Sequence, residues 1–106
     1  EQVMKTVSSD DKVIFKGRKC WQVHLLGSAA SRIVNELKVP IFLYKKGEKS
    51  SRGAVRAPQG VNAVDVMSQS SDILLEYGGH PPAAGFKIDN NHLKEFEKRL
   101  KDYFNR

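Results

Sequence analysis

Paired thiols, clustered metal ligands and long apolar runs are all scarce in this chain. One cysteine, Cys20, excludes an internal disulfide and fits a reducing, cytoplasmic compartment. Its place beside Trp21 in an apolar stretch predicts an inert, buried thiol. Three histidines, His24, His80 and His92, stand without a paired-cysteine motif or a His-Glu-x-x-His, so no metal-ligand spacing is present. Adjacent Asp10-Asp11 reads as a surface pair, because neighbouring side chains diverge on an extended segment. A Walker-type phosphate loop and a dinucleotide fingerprint are both missing, and no serine sits in a nucleophile elbow. Nothing approaches the ~18 apolar residues of a membrane span or the pattern of a signal peptide, so no membrane partner is expected. The chain therefore lacks a self-contained catalytic set, which leaves binding as the chemistry to look for.

What is present suits one globular domain. A length of 106 residues supports a real core without staples. A composition 40% hydrophobic and 28% charged is ordinary for such a domain. The first residue is Glu1 rather than methionine, and the expectation is a piece of a longer protein. The net charge of +6 is unevenly spread. From Lys12 to Arg56 eleven Lys or Arg face only Glu36 and Glu48, whereas from Ala57 onward six face seven acidic residues. A basic half of this kind attracts polyanions, phosphate backbones above all.

The polar residues 1–11 read as an N-terminal segment or linker, and residues 12–106 as the domain proper. Lys12 to Lys16 predicts a strand closed by Gly17. Residues 20–26 either extend the sheet or lead into a helix. Ala29, Ala30, Ile33, Val34 and Leu37 share one face at helical spacing, which predicts a helix from an N-cap at Ser28 to Leu37. Ile41 to Tyr44 reads as a fully buried strand, Lys45 to Ser51 as a hairpin loop, and Arg52 to Arg56 as the returning strand. A second helix is predicted from Asn62 to Tyr77, weakened by its serines and terminated by Gly78-Gly79. Ala83 to Ile88 forms the last strand. Leu93, Phe96, Leu100, Tyr103 and Phe104 then form an amphipathic C-terminal helix capped by Asp89 or Asn90. The expected fold class is α/β, a single domain whose mixed β-sheet of about four to five strands is covered by about three helices.

One run carries the densest functional signal, Gly78-Gly79-His80-Pro81-Pro82-Ala83-Ala84-Gly85-Phe86. Paired glycines allow positive φ and close approach of a ligand. The imidazole that follows can donate from both nitrogens when protonated. Bare backbone beside such a donor is what an anion pocket requires, although Gly-Gly-His also suits a simple turn. Three arginines join it as candidates, since a guanidinium fork fixes phosphate geometry better than an ammonium does. Arg56 ends its strand, Arg52 shares its face by the period of two, and Arg32 is expected near the border of the first helix's apolar face.

Four segments now stand in order: Leu26-Gly27-Ser28-Ala29-Ala30-Ser31-Arg32, Val39-Pro40-Ile41-Phe42-Leu43, Ser51-Arg52-Gly53-Ala54-Val55-Arg56, and Gly78-Gly79-His80 through Gly85-Phe86. Together they resemble the DHH-associated domain of DHH-family phosphoesterases, most of all the RecJ-type single-strand-specific exonucleases, over residues 12 to 105. The resemblance implies a substrate-side domain that catalyses nothing alone. A separate N-terminal DHH catalytic domain, rich in aspartate and histidine, would hold divalent cations (manganese or magnesium) and hydrolyse phosphodiester bonds. The family's Gly-Gly-His maps onto Gly78, Gly79 and His80 and its strand arginine onto Arg56, all expected to hold substrate phosphate. Its helix arginine maps onto Arg32. Single-stranded nucleic acid is the implied partner, in the service of DNA repair and recombination. Pro81-Pro82 departs from the family pattern by replacing smaller residues. Two alternatives stay open: a small phosphorylated substrate such as a dinucleotide, and a protein-interaction module with a fortuitous basic face.

Overall fold

The computed structural model describes residues 12–105, so the polar segment 1–11 with Asp10-Asp11 lies outside it. The elements run β1 (Ile14–Arg18), α1 (Val23–Leu37), β2 (Ile41–Lys46), β3 (Ser50–Arg56), α2 (Ala63–Ser68), β4 (Leu74–His80), β5 (Ala83–Asp89), a 3-10 turn (Asn90–His92) and α3 (Leu93–Phe104). Five strands form one sheet in the order β1-β2-β3-β5-β4. β1 pairs with β2 in parallel through the α1 crossover, and the other neighbours are antiparallel. The chain is thus an α/β domain with a mixed five-stranded sheet and three α-helices among the described residues, as expected.

Each face of the sheet has its own core. On one side Leu26, Ala30 and Ile33 of α1 pack onto Ile14, Ile41 and Leu43. On the other, Phe96 and Leu100 of α3 meet Phe15, Phe42, Val55, Phe86 and Ile88. Ile41, Phe42 and Leu43 are all buried because consecutive strand residues point to opposite covered faces. Phe96 is the hub of the larger core, edge-on to Phe15, Phe42 and Phe86 with ring centroids 5.6, 5.8 and 5.3 Å away. Buried Ser51 donates to Asn90 Oδ1 at 2.6 Å, and Asn90 Nδ2 donates to the Gly47 carbonyl at 2.8 Å, which ties the β2–β3 hairpin to the 3-10 turn. No helix among the described residues is long and apolar enough to cross a membrane.

Four local expectations are corrected. The first helix starts at Val23 rather than Ser28, with Gln22 at its N-cap and no side-chain capping bond. The buried stripe begins at Leu26, two residues ahead of the serine that suggested a start. Cys20 is exposed, because the turn after β1 carries it out of the core while the Trp21 ring stacks under Arg18 at 5.8 Å. Tyr44 is only half-buried, its ring 5.0 Å from that of Phe15 at the margin of the core. The predicted helix over 62–77 is two elements. It starts where expected, with Asn62 at the N-cap, its side chain accepting from the Val64 and Asp65 amides. The helix ends at Ser68, and Leu74–His80 is a strand in which Gly78-Gly79 terminates nothing. Serine hydroxyls compete for backbone hydrogen bonds and weaken helix interiors, and here the Ser68 hydroxyl donates back to the Asp65 carbonyl at 2.6 Å.

Candidate functional site

Helix α1 packs against β2 and β3 and leaves the same face of β5 and β4 uncovered. Side chains opposite one another in a ladder share a face, so the register lays out that open surface in three rows. Arg56, Ala83 and His80 form one row, Ala54, Gly85 and Gly78 the next, and Arg52, Lys87 and Glu76 the third. None of these residues is buried, whereas Ala84, Phe86 and Ile88 on the reverse side of β5 all are.

A bulge in β4 decides that His80 belongs to this face. Leu74 pairs with Ile88 and Glu76 with Lys87, so Leu75 is an extra residue in β4. One inserted residue reverses the phase of everything after it. Leu74 is thereby kept in the α3-side core while Glu76, Gly78 and His80 turn to the open face.

Arg56 is held between sheet and helix. Its Nε donates to Ser31 Oγ at 3.0 Å and its Nη1 to the Val55 carbonyl at 2.8 Å. A Cβ on Gly27 would lie 2.6 Å from Nη2, so the glycine inside α1 is what admits the guanidinium. Val23, Gly27 and Ser31 recur every four residues and form one stripe of the helix facing the β3 arginines. The two hydrogen bonds described engage only part of a guanidinium's five N–H groups, leaving a pre-oriented fork for an anion.

The Gly78-Gly79-His80 segment closes β4 and enters the Pro81-Pro82 turn. That turn is anchored by its carbonyls, since the Ala63 amide donates to Pro81 at 2.8 Å and the Ala57 amide to Pro82 at 3.0 Å. Gly79 has φ of +135°, and a Cβ there would lie 2.6 Å from the Ala84 Cα. Gly78 has an ordinary negative φ and nothing within 4 Å of a Cβ position. Packing therefore demands glycine at 79, while at 78 the missing side chain simply keeps the sheet floor bare. His80 is exposed at the end of that floor, one strand beyond Ala83 from Arg56. Two strand spacings, about 10 Å, separate the backbones that carry the two donors.

At the other end Arg52 Nη2 and Glu76 Oε2 approach to 3.8 Å across β5. A shallow groove of about 280 Å³ runs from there past Val23, Gly53, Tyr77, Gly78 and Gly85. Gly78, His80, Arg56 and Arg52 are thus brought to one surface, whereas Gly79, paired with Ala84, falls in the opposite phase of β4. Arg32 falls outside these rows: it is exposed on α1, one residue on from Ser31 and about 100° around the helix axis. Among the described residues no cluster of three His, Cys, Asp or Glu side chains could hold a metal ion, so a catalytic metal does not fit them.

Gly27, Ser31, Glu76 and Lys87 also shape the surface; Gly27 and Ser31 lie within the first of the four segments that carry the resemblance but had no role assigned, and Glu76 and Lys87 lie in none of them. Gly27 did carry a readable signal, since an interior helix glycine costs about 1 kcal/mol against alanine and needs a reason. Glu76 carried none, because its strand was mistaken for a helix.

Comparison with known proteins is consistent with this geometry. Residues 10–106 match the DHHA1 domain model. The single-stranded-DNA-specific exonuclease RecJ of Thermus thermophilus is 37% identical over 79 residues, which cover 74% of this chain. The chain spans only 11% of that relative's length. A crystal structure of exonuclease RecJ bound to manganese superposes with a TM-score of 0.88 at 30% identity, covering 99% of this chain and 26% of that one. The C-Ala domain of Aquifex aeolicus alanyl-tRNA synthetase shares the fold alone, with a TM-score of 0.77 at 16% identity over 89% of this chain and 91% of its own. With a family model spanning nearly all its residues, the chain belongs to the DHHA1 domain family.

Proposed function

We propose that this domain grips the phosphate backbone of single-stranded nucleic acid for a RecJ-like nuclease whose metal-dependent DHH domain lies outside these 106 residues. One observation carries the reading: a floor of bare glycine and alanine backbone lies beside a helix-held Arg56 and an exposed His80, where the sheet face extends beyond the edge of α1. A phosphate resting there meets a guanidinium fork at one side and an imidazole at the other. The preformed hydrogen bonds of Arg56 reduce the ordering cost of binding. Gripping the strand orients the scissile bond toward a hydrolytic centre elsewhere, and such positioning accounts for a large share of catalytic rate in general. Alone, the domain binds and does not cleave. Gly78, Gly79, His80 and Arg56 hold the first phosphate, Arg52 lies further along the same strand, and Arg32 contributes charge from α1.

Titrating the chain with single-stranded oligonucleotide and following amide resonances tests this. Shifts should concentrate at residues 54–56 and 78–85, and affinity should fall with salt as released counterions require. Replacing His80 and Arg56 together by alanine should weaken binding by about tenfold or more. Unchanged affinity in that double variant would reject the reading in favour of a protein-interaction surface.

A further inference from the structure

We propose that Arg52 and Lys87 form a second phosphate subsite, and that Glu76 gates it so that only a strand long enough to be held at both ends occupies it. This rests on Arg56 and His80 being the first site. The register places Arg52, Lys87 and Glu76 in one row across β3, β5 and β4, two rows from Arg56 and His80. Arg52 and Glu76 belong to strands about 10 Å apart, so their side chains meet across β5, whose Lys87 stands between them in the row. The pair bars the end of the groove and sets a carboxylate beside two cations that would otherwise be open to any phosphate.

The bar is weak. A separation of 3.8 Å is too long for a hydrogen bond, and the two side chains are 53% and 62% exposed, a setting in which ion pairs contribute little. A phosphate can accept two parallel hydrogen bonds from Arg52 and pair with Lys87 at once, which Glu76 at its present distance does not match. What such a phosphate needs is a high local concentration. A strand already anchored at Arg56 and His80 supplies it, as any second contact of a tethered ligand does.

Spacing sets the length threshold. Arg56 and Arg52 are four residues apart on one strand, about 13 Å. A stacked single strand advances about 3.4 Å per nucleotide, so four stacked nucleotides, or fewer when stretched, bridge the two ends. The nucleotides between them cross the bare row of Ala54, Gly85 and Gly78, beside Val23 on the first turn of α1. A dinucleotide engages the first site alone.

Fluorescence anisotropy of the 106-residue chain with labelled thymidine dinucleotide and hexanucleotide reads this directly. Glu76→Gln should tighten the hexanucleotide about two- to fivefold and leave the dinucleotide unchanged. Lys87→Ala should weaken only the hexanucleotide and lower its salt slope by about 0.7. Arg56→Ala should weaken both lengths. Glu36→Gln, which removes the same charge from an exposed position on α1, controls for net charge and should change neither. Equal tightening by Glu76→Gln at both lengths, or by Glu36→Gln, would overturn the gate while leaving the first site standing. If Arg56→Ala weakened neither length, the first site and the gate would fall together.

Discussion

A Cβ on Gly79 would lie 2.6 Å from the Ala84 Cα and 2.7 Å from the Ala83 carbonyl oxygen, on a backbone with φ of +135°, whereas one on Gly78 would meet nothing within 4 Å. Adjacent and identical, the two glycines answer to different demands. Gly79→Ala should destabilise the domain by about 1–3 kcal/mol, read as a lower melting temperature. Gly78→Ala should keep or slightly raise stability, by up to about 1 kcal/mol, since alanine loses less entropy on folding. It should nevertheless weaken oligonucleotide binding by putting a methyl group on the floor. Gly27→Ala makes the same separation from the helix side. Helix propensity rises by about 1 kcal/mol, but the methyl group intrudes within 2.6 Å of Arg56 Nη2. The expected outcome is a melting temperature that does not fall together with an affinity that does. Retained affinity would mean that the Arg56 orientation is immaterial. The sequence marked Gly78 and Gly79 as a pair, but which of them is structural depends on Ala84, a neighbour brought in by strand pairing.

At the scale of elements, the apolar face of the C-terminal helix was legible, but its start was not. Asp89 caps the 3-10 turn ahead of it, and the helix proper opens at Leu93 after His92 with no side-chain capping bond. Its apolar residues recur at three and four positions, and the structure buries Leu93, Phe96 and Leu100 as that spacing predicts. Phe96 is fully buried against three other aromatic rings, so Phe96→Ala should cost about 3–5 kcal/mol in denaturant unfolding. Residues 62–77 were illegible past Ser68, because Val64, Met67, Leu74 and Leu75 fit a helical stripe that the chain does not follow. What separates them is tertiary: Leu74 takes its place beside Ile88, and β4 gains its hydrogen bonds from β5. The bulge at Leu75 then sets which way Glu76, Gly78 and His80 point. Deleting Leu75 forces either Leu74 out of the core or His80 onto the wrong face. A loss of about 2 kcal/mol or more, or loss of oligonucleotide binding at retained stability, is expected. Full stability with full binding would refute the role given to the bulge.

Over the whole molecule, charge is arranged differently on the two sides of the sheet. The open face gathers Arg52, Arg56 and Lys87 against Glu76 alone. The α3 side instead balances its charges locally. Arg99 donates to both Asp72 oxygens at 2.7 and 3.0 Å and to Glu95 at 2.9 Å. The Arg99 hydrogen bonds hold the Asp72 carboxyl below the usual carboxylate range. A depressed carboxylate pKa contributes stability that is present above its unfolded value, about 3.9, and lost as pH falls through the folded value. Asp72→Asn should therefore melt slightly earlier than the parent at neutral pH, with the gap closing below about pH 3.9. Burial, aided by nearby Glu97, pushes the Tyr44 phenol up from its ordinary value on the same side of the sheet.

The amino-acid sequence by itself determined the α/β class, the basic half, the positions of most strands and which side chains carry the donor chemistry an anion site needs. Those depend on local periodicity, on charge and on side-chain chemistry, all of which a linear chain displays. Only the tertiary structure decided that Arg56, Gly78 and His80 share one face, and that Gly27 and Ser31 hold the arginine in place. The reason is the period of two along a strand. Each side chain has only two directions available, and one inserted residue exchanges them. That choice is made by hydrogen bonds to a neighbouring strand rather than by anything in the residue's own surroundings in sequence.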